Sequence, residues 1–80
     1  MKNNFNIIIS SDVAYEELCA EIYFNEQFVA ILTQENGFEN LQVQIYSQEN
    51  KKPWLFKFSE FEEILNKAKK TLWEMRKKEN

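Results

Sequence analysis

Ser59 to about Lys78, SEFEEILNKAKKTLWEMRKK, is the one long amphipathic stretch in this chain, and its reading decides the fold. Phe61, Ile64, Leu65, Ala68, Leu72 and Met75 recur at helical spacing and fall on a single stripe at about 100° per residue. Ser59 followed by Glu62 makes an S-x-x-E capping box, which predicts the N-terminus by giving two orphan amides a partner. Glu60, Glu62 and Glu63 lie in the first turn and Arg76, Lys77 and Lys78 in the last, the arrangement the helix dipole favours. No Gly or Pro interrupts the run. Each buried stripe residue contributes about 2 kcal/mol, so deletion of this helix is expected to unfold the protein.

The residues before it alternate as strands do. Phe5–Ser10 is rich in β-branched residues and places Phe5, Ile7 and Ile9 on one face. Ser10-Ser11-Asp12 reads as a turn cluster, with Ser11 or Asp12 able to cap a short helical turn through Val13–Glu17. From Glu17 to Phe24, Leu18, Ala20, Ile22 and Phe24 face one side and Cys19, Glu21 and Tyr23 the other. The next strand runs from Phe28 to about residue 35, after a turn at Asn25-Glu26.

That turn leaves two registers open. A two-residue turn pairs Tyr23 with Phe28 and groups Leu18, Ala20 and Ile22 with Val29 and Ile31. A three-residue loop groups them instead with Phe28, Ala30 and Leu32. Glu35-Asn36-Gly37, with the only glycine, is the second turn. In the strand at about 40–46, Leu41, Val43 and Ile45 face inward while Gln42, Gln44 and Tyr46 face outward. After a polar loop and Pro53, Trp54–Phe58 is either a fifth, edge strand or an extended lead into the helix. The expected fold is a single α+β domain over residues 1–80. It is an antiparallel meander of four or five strands with one long C-terminal helix packed on one face.

Composition limits the chemistry. The 80 residues include seven Phe, three Tyr and two Trp but no His, and the lone Cys19 has no base to activate it and no partner for a disulfide. No catalytic residues, metal or cofactor are assigned, and the chain reads as a non-enzyme. There is no glycine-rich phosphate loop, calcium loop or nucleophile elbow. No apolar run approaches a membrane span, and the N-terminal apolar core is too short for a signal peptide, so a cytoplasmic location without membrane contact is expected. The formal charge of −3 conceals a division. Residues 67–80 hold six basic residues against two glutamates, a net of +4; the other 66 hold four lysines against eleven acids, a net of −7.

These features favour a protein-binding surface. Asp12, Glu16 and Glu17 gather acid around Tyr15; together with Glu21 they are suited to complement a basic protein surface, and Tyr15, Tyr23 and Tyr46 to supply contact area. Trp73 lies about 140° from the centre of the apolar stripe. It is either the rim of a wide core, packed by Trp54 or a strand end, or an exposed anchor. Direct nucleic-acid binding is disfavoured by the acidic strands and a pI near 5.0.

The block YEELCAEIYFNEQFVAILTQENG, Tyr15 to Gly37, resembles a group of small bacterial proteins of unassigned function. The resemblance is carried by Tyr15-Glu16-Glu17-Leu18, Ala20-Glu21-Ile22-Tyr23, Phe28-Val29-Ala30 and Gln34-Glu35 before Gly37, with Trp54–Ile64 similar to their entry into a helix. These are fold features, and the group supplies no catalytic residues to carry over. At the hairpin, where such proteins favour glycine, this chain has Asn25-Glu26. By type rather than motif, a small acidic domain of this kind also resembles phage and mobile-element inhibitors, anti-CRISPR proteins included, and immunity proteins. The expectation is an inhibitor or adaptor that masks a basic surface on a bacterial protein, its partner being a protein or a nucleic-acid-binding complex. The alternatives are a nucleic-acid-binding accessory protein using the basic helix end and Trp73, or a self-associating module, for which a homodimer is the simplest form.

Overall fold

A computed structural model describes residues 4–11 and 16–78, with side chains through Met75. Its elements are β1 (Phe5–Ser10), β2 (Cys19–Phe24), β3 (Gln27–Thr33), a 3-10 turn (Phe38–Asn40), β4 (Gln42–Ile45) and α1 (Phe58–Lys78). The strands pair antiparallel in chain order to form one four-stranded meander, and α1 packs on one face of it. This is the α+β architecture that the alternation and the helical stripe predict. Strands two to four are each one to three residues shorter than the expected spans, and the third begins one residue earlier, at Gln27.

The hairpin combines the two registers left open by the sequence. Asn25 and Glu26 form a two-residue turn with φ of 51° and 68°, the positive values that a type I′ hairpin needs. Tyr23 accordingly faces Phe28. One residue later the ladder shifts, so that Ile22 faces Ala30 and Ala20 faces Leu32, leaving Val29 as the extra residue of a β-bulge. The short turn therefore coexists with the Ala30 and Leu32 part of the grouping expected of the longer loop, while Phe28 stays with Tyr23 on the other face.

The core lies between the sheet and α1. Ile64, Ala68 and Leu72 are buried against Ala20, Ile22, Val29, Ala30 and Leu32, while Phe61 and Leu65 pack at the margin. The helix packs chiefly on β2 and also on β1. Its start differs from the expected one. The Lys57 carbonyl accepts from the Glu60 and Phe61 amides, so Lys57 occupies the cap position and Ser59 already lies within the first turn. Residues 54–57 form no strand. They have no β partner but keep the alternation of a strand: Trp54 and Phe56 pack inward while Leu55 is 94% exposed. Phe56 stacks on Trp54 (5.3 Å) and on Phe61 (5.3 Å) and meets Phe5 (5.0 Å) and Phe24 (5.1 Å), closing one end of the core with aromatic rings.

One further expectation is corrected by burial. Val43 and Ile45 share the inner face with Leu32 and Ala30, yet they remain 45% and 59% exposed because α1 does not reach over β4. The opposite face is covered in part, since Cys19 and Ile31 are buried there while Ile8 is exposed.

Leu72 is fully buried within the helix–sheet core. Leu72→Ala should lower unfolding free energy by about 2–5 kcal/mol in chemical denaturation. Glu26→Gly should raise it by about 0.5–1 kcal/mol, because glycine adopts positive φ without a Cβ penalty.

Candidate functional site

The face opposite α1 carries a line of three aromatic side chains. Tyr23 on β2 lies 5.4 Å from Phe28 on β3, and Phe28 lies 4.7 Å from Tyr46, just past β4. The bulge makes this line possible. With Val29 displaced from regular pairing, Tyr23 and Phe28 stay directly opposed while the rest of the sheet remains in register with the core. The Val29 carbonyl then accepts from the Tyr46 amide (2.8 Å), and the Tyr46 carbonyl accepts from Trp54 Nε1 (2.8 Å). Tyr46 is therefore an exposed ring on a backbone held from both sides.

Acid borders the line. Tyr23 donates its hydroxyl proton to Glu21 Oε1 (2.9 Å) along the same face. This hydrogen bond raises the Tyr23 pKa above its usual value of 10.0, with partial burial and the Glu21 charge acting in the same direction. Glu16 and Glu17 sit in a bend rather than a helical turn, held by a residue that the sequence did not single out. The two carboxylate oxygens of Glu35 accept from the amides of Glu16 (3.1 Å) and Glu17 (3.0 Å). Gln34, 3% exposed, donates from Nε2 to the Leu18 carbonyl (2.8 Å) and ties the same segment to the end of β3. The polar run Gln34-Glu35-Asn36-Gly37 marks a turn in sequence, but nothing in it reveals that its side chains reach back 16 to 19 residues.

The expected site residues thus separate. Glu21, Tyr23 and Tyr46 share one face, with Phe28 as the ring the sequence reading omitted between them. Glu16 and Glu17 lead into β2. Asp12 and Tyr15, with the start of the predicted turn at 13–17, lie outside the described residues. Trp73 belongs elsewhere. It packs on Phe38 of the 3-10 turn (5.1 Å), not on Trp54, and remains 44% exposed beside Lys69 and Lys70.

Among the described residues, no cluster of three or more Cys, Asp or Glu side chains could hold a metal ion, and no helix is long and apolar enough to cross a membrane. No protein-family model, curated protein or solved structure matches this chain.

Because the folded state holds the Tyr23 proton more tightly than the unfolded chain, this contribution to stability is complete below pH 10.0 and fades as pH rises through the higher folded-state value. Near-ultraviolet absorbance titration should show Tyr23 ionising above pH 10.0, and Glu21→Gln should return its titration towards that value. Denaturation across the same range should show a shallower alkaline loss of stability in Tyr23→Phe.

Proposed function

We propose that this chain is a non-enzymatic protein-binding domain, an inhibitor or adaptor that covers a basic surface of a bacterial protein, in the manner of phage-encoded inhibitors. The observation that carries this reading is the Tyr23–Phe28–Tyr46 line, built across adjacent strands and bordered by Glu21. Flat rings on a rigid frame present contact area with little side-chain entropy left to lose. Carboxylates at their edge complement lysine and arginine on a partner, and they chiefly speed encounter and exclude wrong partners. The Glu16 and Glu17 side chains remain available for this role, because the Glu35 fork engages their backbone amides.

A second reading, direct nucleic-acid binding, draws on the placement of Trp73 beside Lys69 and Lys70. An electrophoretic shift assay with single- and double-stranded DNA and RNA separates the two, since the protein-binding reading expects no shift.

Tagged protein returned to its native host should retain one basic partner. The double variant Glu16→Lys/Glu17→Lys should weaken that complex about tenfold or more at low salt and by less at high salt. Tyr46→Ala should weaken it at both. Affinity that is unchanged by the charge reversal rejects the electrostatic part of the reading, and affinity unchanged by all three substitutions rejects this face.

A further inference from the structure

A second surface lies on the other side of the sheet, where α1 leaves β4 uncovered. Three hollows lie in a row between the helix flank and β4, a groove spanning about 22 Å from Phe58 to Trp73 at 1.5 Å per residue. Its apolar lining comes from Val43, Ile45, Leu41 and Leu65, with Phe58 and Phe61 at one end. Phe58 is 78% exposed there, far more than a core aromatic. The charged lining is one-sided: Lys51 and Lys52 at one end and Lys69 and Lys70 at the other, against Glu39.

The backbone beside this groove is an open template. β4 is the last strand of the sheet. Tyr46 directs its amide to Val29, so by alternation Gln42 and Gln44 turn their hydrogen-bonding groups towards β3, whereas Val43 and Ile45 turn theirs away. The sequence Gln42-Val43-Gln44-Ile45 has none of the charged or proline residues that commonly blunt an edge.

We propose that the β4 edge and this groove take up an extended acidic segment of another protein as a fifth strand. The segment pairs with the outward amides and carbonyls of Val43 and Ile45. Two apolar side chains at alternate positions enter the groove against Val43, Ile45 and Leu65, and acids at its ends meet Lys51 and Lys52 on one side and Lys69 and Lys70 on the other. Strand addition supplies main-chain hydrogen bonds, and the apolar pair and the lysines set the choice of sequence. The occupant is a peptide rather than a nucleic acid because the outward amides and carbonyls of Val43 and Ile45 offer main-chain pairing that an extended peptide satisfies and a nucleic acid does not, and aliphatic Leu41, Val43, Ile45 and Leu65 line the stretch beside them.

The test uses the full chain and a fluorescein-labelled peptide, Glu-Glu-Val-Thr-Ile-Glu-Glu, in anisotropy titrations. It should bind about tenfold or more tightly than its counterpart with lysine at every glutamate. Lys69→Glu/Lys70→Glu, which leaves Lys51 and Lys52 in place, should reduce that preference at least severalfold. Val43→Pro, which removes an outward amide and spares the ladder to β3, should abolish binding. If that variant does not fold, a probe N-methylated at the amides that face β4 makes the same test from the ligand side and should not bind. Hydrogen exchange should show the Val43 and Ile45 amides slowed by the probe. Four results overturn the proposal: no binding by the acidic peptide, equal binding by the N-methylated probe, displacement of the probe by a single-stranded oligonucleotide of similar length, or self-association that Val43→Pro abolishes. The Glu16→Lys/Glu17→Lys variant should bind the probe like the native chain, so failure of this groove and failure of the aromatic face are distinguishable.

Discussion

One helix cannot roof four strands. An α-helix with its side chains is about 10 Å across, and strands are spaced about 4.8 Å apart, so a single helix covers little more than two strand intervals. Here α1 settles on β2 and β1, where Ala68 is buried together with Ala20 and Ile22. Every larger feature follows from that placement. Leu32 and Ala30 on β3 are still enclosed, but Val43 and Ile45 on β4 lie past the helix and keep roughly half their surface in solvent. The open end of the core has to be closed by something other than helix. The chain uses the extended Trp54–Phe56 segment, whose rings fill the space beside Phe5, Phe24 and Phe61.

The bulge at Val29 resolves a conflict between the turn and the core. Asn25-Glu26 makes the tightest hairpin, which regular pairing would continue with Val29 opposite Ile22 and so carry Ala30 and Leu32 to the outer face. One extra residue restores them to the core and keeps Tyr23 opposed to Phe28. It also frees the Val29 carbonyl to hold Tyr46. The positive φ forced on Glu26 is thus coupled to the aromatic line on the outer face.

Much of this fold could be read from side-chain periodicity, and the unread parts share a cause. The stripe Ile64, Ala68 and Leu72 and the alternation in β1 and β2 identified their buried faces correctly. Alternation says which way a residue points but not whether anything lies above it, so Val43 and Ile45 were taken as interior. The same pattern in Trp54–Phe58 arises from an extended chain against a core edge, which period alone cannot distinguish from a paired strand. The capping box failed because the helix begins two residues before Ser59 could cap it: the Lys57 carbonyl already accepts from the Glu60 and Phe61 amides. At the candidate site, Tyr23, Tyr46 and Glu21 were legible as outward residues, whereas Phe28 depended on the hairpin register. Gln34 and Glu35 act through contacts 16 to 19 residues away, which no local pattern encodes.

The uneven charge of the chain acquires a spatial meaning in the fold. Glu21 lies on the aromatic side of the sheet, and Glu16 and Glu17 stand at the bend leading into β2. The charged part of the lining on the opposite side is mostly lysine, set around an apolar floor. Those lysines come from α1 and from the loop before Pro53, segments far apart in sequence, so their convergence is a property of where the helix rests rather than of any basic run. Coulomb energy falls with distance, so the charges on each side act most strongly on a partner that approaches that side. A net charge of −3 understates both surfaces, because a partner responds to the few charges within its reach and not to the sum.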